Sequence, residues 1–344
     1  MTCPFYICKF HASIIKYREN MLSLSPYIEL FIVTVFLSSR IFFKHYAKVS
    51  YWLGFFLICL IFGSRFEVGT DYATYINLIQ NIDSSLNIEP GFYIMTKLFN
   101  FLDVAPTLQL GIYYVITVFF VWLSIARWSQ NRSLSVAVFF GLGYAFLFTN
   151  QVRQSLAIVI CLYSYRYIFE KNAKNFILCM IFALSFHYSA IVFCGAYLLK
   201  NVKLSNRMLL SMLFISLLIG FFLLGNLIDF LFKAYESYAP ALLVKKYSYY
   251  FNNQFGDGLI DQRDYGIGIR FIFLNLVAIM LVTKVNRENN EHLSMLLYFS
   301  IIGICLTNMF TGIEVLSRLV YFYSIFIVIA LPLVVNIFSA GGEG

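Results

Sequence analysis

The chain has 344 residues, of which 60% are hydrophobic and only 12% charged, whereas a soluble domain is about half apolar with about a quarter of its residues charged. That balance excludes a water-soluble fold, because the polar residues are too few to cover its surface. The formal net charge of +8 fits lysines and arginines in inward loops beside anionic lipid and does not call for nucleic acid.

Aromatic residues reach 19%, which suits amphipathic rings at both membrane interfaces. Apolar run follows apolar run with short joints, so residues 24–340 are expected to form a single polytopic all-α domain of about ten to eleven transmembrane helices, some short or re-entrant. Residues 1–23 form an N-terminal extension that mixes Cys, His, Lys and aromatics. It lacks the apolar stretch and small-residue cleavage pattern of a signal peptide; an interfacial helix and a start placed upstream of Met21 are the two readings. Five of the seven cysteines, Cys59, Cys161, Cys179, Cys194 and Cys305, lie in apolar runs. With no CxxC pair or Cys/His ligand spacing, neither a disulfide framework nor a metal site is expected, and no cofactor.

In chain order, candidate spans cover 24–40, 51–64, 108–126, 134–149, 155–170, 207–231, 267–284, 294–311 and 319–338. Several fall short of the roughly 20 residues an upright helix needs, which implies local thinning or a protein-lined cavity. Sidedness follows the lysines and arginines of the joints. Arg40, Lys44 and Lys48 place the first joint inside, Arg127 and Arg132 the next, then Lys171 and Lys174, then Lys200, Lys203 and Arg207. Because both flanks of Phe176–Leu199 face inward, that segment must run out and back, with its apex at Phe186-His187-Tyr188-Ser189. Gly91–Val104 is expected to be an external interfacial or half-inserted helix. Residues 65–90 and 232–266 are external loops over a cavity. Lys9, Lys16 and Arg18 oppose this scheme, since it puts the N-terminus outside.

The scheme gathers the unusual polar residues on the outer face, where ionisable groups near hydrocarbon depth mark a substrate path. After Gly63, the turn Ser-Arg65-Phe-Glu-Val-Gly69-Thr-Asp71-Tyr72 places Asp71 at a helix N-cap. Arg65 either snorkels to headgroups or faces a cavity. Arg153, in Asn150-Gln-Val-Arg-Gln154, opens a helix whose free backbone N–H groups suit an anion, although an interface anchor accounts for it too. His187 is either a helix–helix hydrogen-bonding group or a proton acceptor. Arg318 and Glu314 fit an ordinary ion pair at a helix start. Arg263, Asp264 and Arg270 complete this face. Lys245, Lys246, Tyr247, Tyr249, Tyr250 and Gly256-Asp-Gly258, in the second external loop, carry a weak sugar-binding signal.

The ordered segments Arg65-Phe-Glu-Val-Gly-Thr-Asp-Tyr-Ala-Thr-Tyr75, Glu89-Pro-Gly-Phe92, Val152-Arg-Gln-Ser-Leu-Ala157, Phe182-Ala-Leu-Ser-Phe-His-Tyr-Ser-Ala190 and Arg318-Leu-Val-Tyr321 resemble the EpsG-like branch of Wzy-type polysaccharide polymerases. The resemblance runs from about residue 24 to the end of the chain. It implies a metal-independent membrane glycosyltransferase of GT-C-like architecture in the bacterial cytoplasmic (inner) membrane. Such enzymes join undecaprenyl-pyrophosphate-linked oligosaccharide repeat units on the outer side, beside a flippase and a chain-length regulator. It further implies pyrophosphate binding by Arg65, Arg153, Arg318 and Arg270, and sugar contacts from Tyr72, Tyr75 and Gln154. His187 or Asp71 would be the general base, with Glu89 a third candidate or a group that orients another. A transporter or flippase of lipid-linked sugars is the rival from another class, and a glycan ligase using the same carrier lipid is a nearer one.

Overall fold

A computed structural model describes residues 27–39, 42–85, 88–223, 268–285, 290–310 and 314–340. The N-terminal extension and the whole 232–266 loop, with Arg263 and Asp264, lie outside the described residues. All regular structure among the described residues is helical: α1 (Tyr27–Leu37), α2 (Ala47–Gly63), α3 (Tyr72–Gln80), α4 (Pro90–Phe101), α5 (Pro106–Trp128), α6 (Arg132–Gly141) and α7 (Tyr144–Asn150). There follow α8 (Val152–Phe169), α9 (Ala173–Phe186), a 3-10 segment (Tyr188–Asn201), α10 (Asn206–Leu218) with a π turn (Ile219–Leu223), α11 (Ile269–Lys284), α12 (Glu291–Phe310), α13 (Glu314–Ser324) and α14 (Ile327–Ala340).

Local chemistry sets the helix starts. Proline occupies the first turn of α4 and α5, where its missing N–H costs nothing. Side-chain oxygens of Asn131, Asn172 and Ser205 accept from Leu134 N, Asn175 N and Met208 N to cap α6, α9 and α10.

Two helices, α5 with 23 residues and α12 with 20, are long and apolar enough to cross a membrane alone. The pairs α6–α7, bent by 53°, and α13–α14, bent by 47°, bring the number to as many as four, and α1, α2, α9 and α10 are shorter apolar helices. α8 misses that apolar standard for a physical reason: 13 of its 18 residues are buried, so it is wrapped by protein and tolerates Gln154, Ser155 and Ser164. Outward faces carry bare apolar side chains, among them Phe56, Ile181, Phe214 and Leu276. Such a belt suits lipid rather than water.

The bundle has two chemically distinct ends. α2 and α5 run antiparallel. At one end a Cβ on Gly111 would stand 2.5 Å from Gly63 O, so only glycine permits the approach. At the other, Tyr51 Oη donates to Trp122 O at 2.8 Å and Trp122 Nε1 donates to Tyr51 O at 3.2 Å. Arg127, Arg166, Glu170, Lys171 and Glu291 pair with one another near the Trp122 end. α9 and the 3-10 segment fold back on each other, with the Phe176 and Tyr197 rings 5.2 Å apart. The turn falls at His187, and both flanks return to the basic end, where Lys171, Lys200 and Lys203 line one cavity.

Bent pairs α6–α7 and α13–α14 meet near their breaks. Gly143 has φ +79°, a left-handed geometry that releases α7 from the axis of α6. Tyr144 Oη and Ser324 Oγ share a 2.7 Å hydrogen bond there. Ser135 Oγ, farther down α6, donates to Val328 O at 2.6 Å. A Cβ on Gly303 of α12 would lie 2.6 Å from Ser324 N, so a third helix closes on the same break. Elsewhere, Asn275 and Asn308 exchange amide hydrogen bonds of 2.8 and 2.9 Å, and Asn308 Nδ2 donates to Ser216 Oγ at 3.0 Å, joining α10, α11 and α12.

Candidate active site

The end opposite the basic cluster is built from the turn after α2, the start of α4, the α7–α8 joint and the apex at His187. Glu67 and Gly69 have φ of +54° and +106°, which fold residues 64–71 back over the bundle. Arg65 pins this turn: Nη1 donates to Phe62 O at 3.2 Å and Nη2 to Thr149 O at 2.8 Å. It is only 7% exposed. A Cβ on Gly69 would run into Asn150 Oδ1, so the turn and the α7–α8 joint are in close apposition. Asp71 does stand at the position preceding α3, but its carboxylate makes no capping bond. It accepts instead from Thr70 Oγ1 at 3.5 Å.

At the centre is Glu89, 3% exposed, immediately before Pro90. Arg153 Nη1 donates to its Oε2 at 2.5 Å, and His187 Nδ1 to its Oε1 at 2.7 Å. One carboxylate therefore joins the start of α4, the first turn of α8 and the end of α9. Each partner is placed by local structure. Pro90 fixes where α4 begins, Arg153 is the second residue of α8, and His187 is extended (φ −159°, ψ 123°) where α9 stops. Gly91 sits against Ser185: a Cβ there would meet the Ser185 hydroxyl and lie 2.8 Å from its carbonyl oxygen.

Burial pushes the Glu89 carboxyl up, but the His187 hydrogen bond and the Arg153 charge outweigh it and hold it below the ordinary glutamate value. An ionised carboxylate only accepts. In the neutral imidazole, Glu89 thus favours the tautomer with its proton on Nδ1, which leaves a lone pair on Nε2. The Tyr75 hydroxyl lies beside the Arg153 guanidinium; burial raises its pKa and Arg153 offsets part of that rise. The Phe92 ring centroid is 5.9 Å from the same guanidinium.

The other residues expected in the site have their own neighbours. Gln154 Nε2 donates to Arg318 O at 2.6 Å, so α13 is tied to the start of α8 through backbone. The Arg318 and Arg270 side chains are exposed, and Arg270 is near enough to Tyr144 to act on its hydroxyl electrostatically. Tyr72 is buried near Arg65. Asp71 makes no hydrogen bond to the Glu89–Arg153–His187 triad.

Of ten buried side-chain polar atoms lacking a hydrogen-bond partner among the described residues, six belong to this end: Arg65 Nε, Tyr72 Oη, Asn150 Oδ1, Gln151 Oε1, Arg153 Nε and Ser189 Oγ. Buried polar atoms are ordinarily paired, so this clustering marks a place equipped to hold a polar molecule. Among the described residues, no group of three His, Cys, Asp or Glu side chains could hold a metal ion. Sequence reasoning passed over Gln151, Ser189 and the Gly91–Ser185 packing; the dipeptide Glu89-Pro90 was the available signal for a fixed carboxylate.

Fold and site together define a polytopic all-helical membrane protein with a charged cluster at one end of its bundle. The chain belongs to the EpsG family, whose model matches residues 48–340, a family of polysaccharide polymerase-like membrane proteins. No curated protein and no solved structure matches it.

Proposed function

We propose that this protein polymerises undecaprenyl-pyrophosphate-linked oligosaccharide repeat units on the outer face of the bacterial cytoplasmic membrane. The observation that carries the proposal is the Glu89 carboxylate bridging His187 and Arg153. It couples a proton acceptor to a cation, the two functions that this glycosyl transfer requires.

In the reaction, His187 Nε2 accepts the proton of the acceptor sugar hydroxyl. The freed oxygen attacks the anomeric carbon of the donor, forming the glycosidic bond as the bond from that carbon to the pyrophosphate oxygen breaks. Glu89 holds the imidazole in register and stabilises the imidazolium that forms. The remaining N–H groups of Arg153, with Arg318 and Arg270, take up the charge growing on the leaving pyrophosphate. Arg65, whose terminal nitrogens donate to the Phe62 and Thr149 carbonyls, acts as a positioning residue for the turn. Tyr72, Tyr75 and Gln154 border the sugar path, and Asp71 is a second candidate base at its edge. A flippase supplying the repeat units and a chain-length regulator are the expected partners.

Sidedness supports the same reading. The basic end, with Arg127, Arg132, Lys171 and Lys200, would face the cytoplasm, which turns the triad outward. A transporter is less well supported, because its ion-coupled site should lie near mid-depth between related halves, whereas this triad lies at one end.

The test uses purified full-length protein and lipid-linked repeat units. Wild type should yield a ladder of longer glycans and His187→Ala should not. Movement of substrate between vesicle leaflets without any ladder would instead establish a transporter.

A further inference from the structure

At the end remote from the triad, the turn after α8, the end of the 3-10 segment and the start of α12 line an open cavity of about 680 Å³. Three lysines, Lys171, Lys200 and Lys203, line it against one carboxylate, that of Glu291. The cavity is separated from Arg153 by the 18-residue length of α8, roughly 27 Å at 1.5 Å per residue. The transfer reaction has no use for it.

Two further features give the cavity a chemistry. Lys171 has φ +54° and closes α8 with Lys171 N donating to Ile168 O and Asn172 N to Tyr167 O. Glycine normally takes such a left-handed position, yet here a lysine occupies it at the cavity wall. Asn290 and Ser294 add an amide and a hydroxyl at the start of α12, where the helix dipole favours an anion. The floor is apolar, with Leu199 and Met295, and beside it Leu198 is 72% exposed.

We propose that this cavity binds a phosphate-bearing anion, its phosphate between Lys171, Lys200 and Lys203, with the apolar floor receiving the glycerol or acyl part of an anionic phospholipid. Ammonium groups act as point-charge donors to phosphate oxygens, and basic pockets between membrane helices on the cytoplasmic side take anionic headgroups. A volume of this size falls in the range of small-molecule sites. The site is independent of the proposed polymerase activity.

The test uses full-length protein in detergent, with native mass spectrometry counting bound phosphatidylglycerol against phosphatidylcholine. A second arm measures thermal shift by inorganic phosphate in delipidated protein. Wild type should prefer the anionic lipid, and each lysine-to-glutamine change at Lys171, Lys200 or Lys203 should weaken that preference roughly fivefold. Lys97→Gln, at a lysine paired with Asp83 elsewhere, should leave it unchanged. As a control for variants that fail to fold, Glu291→Gln serves as the opposite perturbation. It frees Lys171 from its 3.7 Å partner and should tighten binding.

Lipid preference lost with the lysines identifies a phospholipid headgroup. A phosphate-induced shift lost with the lysines, without lipid preference, identifies a soluble phosphate as the ligand. Equal binding by wild type and the lysine variants in both arms, or no binding by wild type in either, overturns the proposal.

Discussion

Replacing Glu89 by glutamine tests whether one carboxylate organises both His187 and Arg153. The substitution conserves shape but leaves a single acceptor oxygen. If that oxygen faces Arg153, the amide N–H₂ meets His187 Nδ1 and forces the imidazole proton to Nε2, where the acceptor hydroxyl must deliver its own. If the oxygen faces His187, the N–H₂ opposes the guanidinium. Each hydrogen bond to a charged group contributes ~1.5–3 kcal/mol; the second orientation loses one, and in both the Arg153 guanidinium is left without its counter-charge. The expected destabilisation is about 2–4 kcal/mol, with glycan extension slowed about 100- to 10,000-fold. Thermal unfolding in detergent and a single-addition assay on lipid-linked units measure the two. A double-mutant cycle with His187→Ala should be strongly non-additive, because the pair works as a unit. Glu89→Gln protein extending glycan at more than a third of the wild-type rate, or additivity in the cycle, refutes the reasoning.

Three other outcomes follow from the same geometry. Since the Glu89 carboxyl is held below its usual range, its stabilising contribution is complete above the unfolded-state value and disappears as pH falls through the folded one. The melting-temperature gap between wild type and Glu89→Gln should therefore be constant near neutrality and close in acid below about pH 4, measured by scanning fluorimetry. Gly91→Ala inserts a methyl against Ser185; it should lower polymerisation by separating α4 from α9 and destabilise by about 1–3 kcal/mol, read by paired activity and unfolding assays. Asn308→Ala should cost ~1–2 kcal/mol in unfolding experiments. Adding Asn275→Ala should cost little more, since its partner is already gone.

Much of the polar layout was legible because the rules behind it are local. The lysines and arginines flanking Phe176–Leu199 forced a returning segment, and the structure turns at His187. Arg153 was readable as the opening of a helix, but the anion it meets is a side chain of this chain, Glu89, 64 residues away. No local pattern encodes a contact of that separation. The bends at Gly143 and after Ser324 were read as continuous apolar runs, because hydropathy measures composition and not direction. Arg65 was expected to bind pyrophosphate from the family resemblance; its hydrogen bonds to the Phe62 and Thr149 carbonyls had no signal in the local sequence.

The fold-back at His187 has a topological consequence. A segment that departs from and rejoins the same end of the bundle adds no net crossing, so its depth can vary without inverting any element that follows. His187 could thus be raised or lowered relative to Arg153 by lengthening or trimming two antiparallel arms, leaving α10 to α14 with unchanged handedness and sidedness. Length variation between relatives should accordingly be matched in pairs across residues 173–201.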